Sequence, residues 1–180
     1  LSQLEIGRRV VVIGGGMTAI DAAMQSKLLG AEEVTVAYRR GQEHMNASLY
    51  EQELAQTHGV TIRHWMMPAS LEVSNGAVKS ITMEKTELDG SGKLAGTGEM
   101  VTIQADQVFK AIGQTPDAAP LAGASIELEK GRIRVDEHRR TSHKKIWAGG
   151  DCVAGGEDLT VASVEDGKVA AESIHKALMA

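Results

Sequence analysis

Three glycines and an alanine, Gly14-x-Gly16-x-x-Ala19 with Gly15 between, stand directly behind the apolar run Val10-Val11-Val12-Ile13. Gly14 permits a tight turn. Gly16 lets backbone amides approach an anion that a side chain would hold off, and Ala19 lets a following helix lie close on a sheet. Amides at the start of such a helix, at the positive end of its dipole, suit a pyrophosphate. The pattern predicts a dinucleotide site over Gly14, Gly15, Gly16, Met17 and Thr18. Alone it is a weak signal; its place between a buried strand and a helix gives it weight.

The choice of dinucleotide is read further on. Where the second strand of such a fold ends, a carboxylate normally accepts from the ribose 2′-hydroxyl. Here that place holds Tyr38-Arg39-Arg40, with Arg39 twenty-three residues beyond Gly16. A carboxylate would repel a 2′-phosphate, whereas guanidinium groups form charge-assisted bonds to it of about 1.5–3 kcal/mol each. NADPH is therefore the expected ligand. A solvated surface pair is the plainer reading of two arginines, and only the position behind this strand separates the two.

Gly149-Gly150-Asp151 follows Ile146-Trp147-Ala148 and precedes a glycine-containing loop and a helix. Spacing alone serves a ligand turn and a simple strand-end turn equally. Asp158 or Thr160 would cap the final helix. Gly167 inside it costs about 1 kcal/mol relative to Ala, which suggests close packing against a cofactor or against another backbone. The six histidines show no metal-ligand spacing, so no metal site is expected. Cys152 has no partner thiol and reads as structural, while Met45, Met66, Met67 and Met83 read as core filler. No acid–base or nucleophilic arrangement emerges, and no catalytic residue is assigned.

Rigid supports must position these groups. Residues 10–13 read as a strand buried on both faces of a parallel sheet. Ala19, Ile20, Ala23, Met24 and Leu28 recur at helical spacing up to Gly30. Residues 34–38 form a second strand, residues 48–57 a helix stopped by Gly59, and residues 60–66 a third strand by alternation. From 71 to 103 the helical period is lost. Leu71-Glu72-Val73, residues 78–83 and residues 100–103 read as short strands of an antiparallel meander, parted by Asn75-Gly76 and Asp89-Gly90-Ser91-Gly92. Residues 106–112 return as a buried strand ended by Gly113. Thr115-Pro116-Asp117 and Pro120 then form a linker. A small hairpin pairs 126–128 with 133–135, and 146–148 make a short buried strand. From about Thr160 an amphipathic helix carries Val161, Val164, Ala171, Ile174 and Leu178 on one face. The expected class is α/β: a Rossmann-like three-layer parallel sheet with an antiparallel β-meander over 1–113, and a further segment over 114–180.

Bulk composition narrows the function classes. Aromatics are 3% of the 180 residues, so the core must be Val, Ile, Leu, Met and Ala, which favours β-branched strands under Ala-rich helices. The net charge of -5 and the scattered basic pairs give no phosphate-backbone surface, and no nucleic-acid partner is expected. No apolar run approaches the roughly 18 residues needed to span a bilayer, and no signal peptide is visible. With one cysteine there is neither an internal disulfide nor a CxxC pair, and a reducing, cytoplasmic setting is expected. The start Leu1-Ser2-Gln3, without methionine and within ten residues of a nucleotide-binding strand, reads as part of a longer protein.

Four motifs in order carry a resemblance. Val11-Val12-Ile13-Gly14-Gly15-Gly16-Met17-Thr18-Ala19-Ile20-Asp21, Tyr38-Arg39-Arg40, Ala111-Ile112-Gly113-Gln114-Thr115-Pro116 and Trp147-Ala148-Gly149-Gly150-Asp151 together resemble the two-dinucleotide-domain flavoproteins. Within these, the chain is similar to the glutamate synthase small subunit and the flavin-containing part of dihydropyrimidine dehydrogenase. Thr86-Glu87-Leu88-Asp89, Thr160-Val161, Asp166-Gly167-Lys168 and Ile174-His175-Lys176 look most like the dehydrogenase side. Two positions depart: Met17 replaces the usual Asn or Asp, and Asn46 stands where relatives often carry Pro.

The resemblance implies that 1–113 bind NADPH and that 114–180 are the C-terminal part of an FAD-binding domain. Hydride would pass from NADPH to FAD, and electrons singly to iron–sulfur clusters. Gly150 and Asp151 would meet the FAD ribityl chain, Thr160 and Val161 would lie near the flavin ring, and Ile112-Gly113 would mark the crossing between domains. Hydride transfer asks the protein mainly for placement, with reacting atoms about 3–3.5 Å apart, which agrees with the lack of a catalytic residue. No second G-x-G-x-x-G and no cysteine cluster is present. An N-terminal FAD and iron–sulfur portion of the same protein, and a catalytic partner subunit, are the expected partners. Two other readings stand beside this one. A non-catalytic NADP(H) sensor would be favoured only if Leu1 were the natural start, and the lack of a cysteine pair argues against a pyridine nucleotide–disulfide reductase.

Overall fold

A computed structural model describes residues 5–115, 117, 121 and 123–179. The expected linker prolines Pro116 and Pro120, and the start Leu1-Ser2-Gln3, lie outside the described residues. The chain divides into two compact units, Leu1–Gly113 and Gln114–Ala180.

The first unit is built around strand β1 (Arg9–Ile13), whose Val10, Val11 and Val12 are buried on both faces. Full burial of each such side chain contributes about 1.5–3 kcal/mol. Helix α1 (Met17–Leu28) leads to β2 (Glu33–Ala37), and helix α2 (Leu49–Thr57) leads to β3 (Val60–Arg63). A reciprocal capping box starts α2: the Glu51 amide donates to Ser48 Oγ, and the Ser48 amide donates to the Glu51 carboxylate. With β7 (Gln107–Lys110) these strands form an all-parallel sheet in the order β3-β2-β1-β7.

Alternation along β1 divides the core. Val10 and Val12 join Ala19, Ile20, Ala23, Val34, Val36 and Ala55 under the helices. Val11 joins Ala37, Met66, Ile81, Met83 and Ala105 on the opposite face. That second face is covered by an antiparallel sheet of β4 (Met66–Ser74), β5 (Ala77–Leu88) and β6 (Leu94–Gln104). Helices, parallel sheet and meander make three layers, as the sequence implies. At the start of β1, Arg9 donates its amide and guanidinium to Asp106 at 2.9 and 2.7 Å. Those bonds tie β1 to β7 and hold the Asp106 carboxyl below its usual range.

Several elements differ from the sequence reading. Residues 60–66 are not one strand: β3 stops at Arg63, Trp65 takes a left-handed backbone (φ 60°), and Met66 already belongs to the other sheet. Three tertiary bonds impose this joint. Trp65 and Met66 amides donate to the carbonyls of Arg40 and Tyr38, and the Thr86 amide donates to that of Trp65. The meander strands are longer than their apolar patches suggest. Pro68 is tolerated because β4 is an edge strand, with a register shift between Pro68 and Ser70. The returning strand is Gln107–Lys110 rather than 106–112.

In the second unit, β8 (Leu128–Glu129) and β9 (Arg132–Ile133) form the hairpin, shorter than expected, and α3 spans Thr160–Met179. Residues 146–148 are not a strand; Trp147 makes a single bridge to Arg140, whose guanidinium lies 5.5 Å from the indole centroid. The expected apolar face of α3 is open in this unit: Val161, Val164 and Leu178 are 76, 67 and 79% exposed. The helix instead buries Asp166 and Ser173, the latter accepting from Trp147 Nε1 at 2.9 Å. Among the described residues, Val153 is the single fully buried apolar side chain here. No described helix is long and apolar enough to cross a membrane.

Candidate functional site

The glycine turn occupies the carboxyl edge of the parallel sheet, where β1 has β2 on one side and β7 on the other. The chain runs from β1 to β2 in one direction and returns to β7 in the other, which is the switch point where open α/β sheets take ligands. Each glycine of the turn has its own physical setting. Gly14 donates to the Ala37 carbonyl at 3.1 Å, and a Cβ there would overlap the Ala111 carbonyl and sit 3.0 Å from Ala19 Cβ. A Cβ at Gly15 would strike the Tyr38 ring. Gly16 differs. Its backbone is extended (φ -97°, ψ 179°), open to any residue, and a Cβ on it would meet nothing within 4 Å.

Gly16 caps α1 with no side-chain bond to the helix start and no acidic residue in the first turn. Ala19 and Ile20 amides donate to the Gly16 carbonyl, whereas those of Met17 and Thr18 have no acceptor among the described residues. Both side chains are exposed, Met17 by 46%. The arrangement offers donors and a positive dipole end with nothing in the chain to satisfy them.

Beside the turn runs the loop that leaves β2. Its backbone is fixed from the meander: Thr86 Oγ1 donates to the Arg39 carbonyl at 2.8 Å and the Trp65 amide to that of Arg40 at 3.2 Å. Neither the Arg39 nor the Arg40 guanidinium has an ion pair or hydrogen bond among the described residues. Arg39 is exposed and Arg40 half-buried. Tyr38 is half-buried, with its ring against Gly15 and its hydroxyl donating to the His44 carbonyl at 2.6 Å. Ile112 and Gly113 continue past the same sheet edge beyond β7, Ile112 being 63% exposed. The structure thus collects Gly14 to Thr18, Tyr38 to Arg40 and Ile112-Gly113 along one edge of the first unit.

Gly150, Asp151, Thr160 and Val161 belong to the second unit. Gly150 (φ 80°) donates its amide to Asp166 Oδ2 at 2.8 Å, and a Cβ on Gly149 would lie 2.6 Å from Asp166 Cβ. The other Asp166 oxygen pairs with Arg139 Nη2 at 2.6 Å. Arg132 Nη1 donates to the Asp151 carbonyl at 2.6 Å, leaving the Asp151 side chain exposed. A Cβ on Gly150 would lie 3.1 Å from Ser163 Oγ, so this turn abuts the first turns of α3, where Thr160 and Val161 are exposed. Cys152 Sγ donates to the Gly149 carbonyl at 3.2 Å. No group of three His, Cys, Asp or Glu among the described residues has the disposition of a metal site.

Sequence reasoning did not single out Trp65, Asp166, Arg139 or Arg132 as supports. Asp166 entered only inside the resemblance. Their roles depend on partners far along the chain that no spacing rule connects.

The match to a described family covers residues 1–177, and that family is pyridine nucleotide-disulphide oxidoreductase. The chain is 40% identical over 183 aligned residues to the small chain of NADPH glutamate synthase from Escherichia coli strain K12, covering 93% of this chain and 38% of that one. It is 34% identical over 179 residues to the beta subunit of an NADP(+)-dependent formate dehydrogenase of Moorella thermoacetica, covering 96% and 25%. Among solved structures, thioredoxin reductase of T. acidophilum superposes with a TM-score of 0.83 at 23% identity, over 97% of this chain and 54% of that one. The last likeness is one of fold. The chain spans well under half the length of the two curated relatives.

Proposed function

The chain belongs to the pyridine nucleotide-disulphide oxidoreductase family, and we propose that it is the NADPH-binding domain, with the C-terminal part of an FAD-binding domain, of a flavoprotein oxidoreductase. Gly16 carries this reading. Neither its backbone conformation nor its neighbours ask for glycine, so the demand for a bare Cα comes from a ligand approaching the open amides of α1. A pyrophosphate meets it, and the unpaired Arg39 and Arg40 on the same edge suit the additional 2′-phosphate of NADPH. Two relatives whose names include NADPH or NADP(+) support that choice.

The residues present fit both groups. Gly16, Met17 and Thr18 would hold the pyrophosphate through main-chain amides, and Arg39 and Arg40 would hold the 2′-phosphate. Ile112 and Gly113, past the end of β7, would border the nucleotide at the same edge. In the second unit the exposed Asp151 carboxylate is an acceptor for ligand hydroxyls, in keeping with a ribityl chain, and exposed Thr160 and Val161 would face the flavin. Bound nicotinamide and flavin would supply hydride donation from the first to the second, and iron–sulfur clusters held outside this chain would take the electrons singly. This chain's task is to place them. Its one cysteine leaves cluster ligands, and any dithiol, to other segments of the protein or to a partner subunit. The names "small chain" and "subunit beta" among the relatives favour such a partner.

The test is calorimetric titration of the whole chain with NADPH and NADH. Replacing Arg39 and Arg40 with Ala should weaken NADPH by about a hundredfold or more, from two charge-assisted contacts, and leave NADH nearly unchanged. Equal losses would show that the arginines do not read the 2′-phosphate.

A further inference from the structure

We propose that Tyr38 is a positioning residue, a pin that locks the glycine turn and the arginine loop into one rigid body and so sets the preference between phosphorylated and unphosphorylated dinucleotides. The inference rests on the reading above and assigns to Tyr38 a part other than touching the nucleotide. Two contacts join the two segments, and a third braces the loop that runs between them. The Tyr38 ring fills the space where a Cβ at Gly15 would project. Its hydroxyl donates to the His44 carbonyl at 2.6 Å, across the short 3-10 turn Gln42–His44. The Ala47 amide closes the circuit by donating to the Gly15 carbonyl at 3.1 Å. Ala47 is itself buried, and its carbonyl accepts from the buried side-chain Nε2 of Gln52 on α2 at 2.8 Å.

The geometry has a direct consequence for recognition. The pyrophosphate and the 2′-phosphate belong to one nucleotide, so their separation is largely set by the ligand. A protein reads both only if the amides at Gly16 and the guanidinium groups at Arg39 and Arg40 are held at a matching separation, to within about 0.5 Å. The arginine loop is held on one side by Thr86 and Trp65. Tyr38 supplies the other side, toward the glycine turn. NADH lacks the 2′-phosphate and needs only the amides, so loosening the pin should cost NADPH and spare NADH. A Phe at this position would keep the ring against Gly15 and lose only the bond to His44.

Tyr38→Phe in the whole chain tests this, with NADPH and NADH titrated separately. The dissociation-constant ratio favouring NADPH should fall about five- to tenfold, the scale of one hydrogen bond, while NADH binding changes less than about twofold. A variant that weakens both nucleotides alike, or neither, overturns the pin. Lack of discrimination in the unaltered chain overturns the arginine reading and this inference with it. Hydrogen exchange on the nucleotide-free chain supplies a readout independent of any ligand. The Ala47 amide should exchange about tenfold faster in Tyr38→Phe, and an unchanged rate there rejects the pin even if the nucleotide preference moves.

Discussion

The turn at Gly14, Gly15 and Gly16 leaves the amides of Met17 and Thr18 uncommitted, whereas the turn at Gly149, Gly150 and Asp151 has its central amide taken by Asp166. The two are held by different physics. The first hangs from the edge of a sheet whose valines are buried on both faces, and its shape follows from packing against Ala111, Ala19 and Tyr38. The second sits in a unit with Val153 as its one fully buried apolar side chain among the described residues, and a carboxylate–guanidinium pair sets its shape. An apolar core can spare backbone donors for an anion. A polar network uses its donors internally and presents a side chain, Asp151, in their place.

The strongest way to break this comparison is Asp166→Ala. It strands the Arg139 guanidinium and the Gly150 amide together, and should destabilise the second unit by about 2–4 kcal/mol. That lies toward the low side for a buried pair because Arg139 is 32% exposed. Native-state hydrogen exchange should show the loss in residues 114–180 and leave 5–113 unchanged. Unaltered protection in the second unit would mean that the ion pair does not organise it. Next in size is a contrast within the first turn. Gly14→Ala runs into the Ala111 carbonyl and should cost about 1–3 kcal/mol in urea unfolding. Gly16→Ala should stay within about 0.5 kcal/mol and yet weaken NADPH binding markedly. If Gly16→Ala binds as well as the parent, the ligand-facing account of that glycine fails.

The smallest effect concerns the seam between β1 and β7. Asp106 has a folded-state pKa below its ordinary value near 3.8, because it accepts from the Arg9 side chain and amide. Its contribution is present above that ordinary value and disappears as pH falls through the lower, folded-state value. Thermal melts of the parent and of Asp106→Asn should differ at neutral pH and converge on acidification below the ordinary aspartate range. The gap should be small, since the pair is about one-third exposed, 36 and 34%. A gap that widens on acidification would contradict the pairing.

What the sequence made legible follows the same divide. In the first unit, runs of Val bounded by Gly marked β1, α1 and β2, because burial on both faces leaves a compositional trace. Arg39 and Arg40 could be placed at a strand end for the same reason. Trp65 could not be foreseen: its left-handed backbone is imposed by Arg40 and Thr86, twenty-five residues before and twenty-one after it. Strand β4 escaped notice over most of its length because nearly all of it is exposed, and an exposed edge strand shows no alternation. In the second unit the helical period correctly marked α3 and misjudged its packed face. The contacts that matter there are polar, Asp166 to Gly150 and Ser173 to Trp147, and a hydrophobic period is blind to them.

The chain has two tryptophans, one in each unit. Trp65 is bonded through its backbone amide to the Arg40 carbonyl, and Trp147 is stacked under Arg140 with its indole nitrogen bonded to Ser173. Nature has thus fitted each half with its own lamp. Replacing either indole by Phe leaves the other as a single emitter whose wavelength and intensity report on one half alone, without an attached dye.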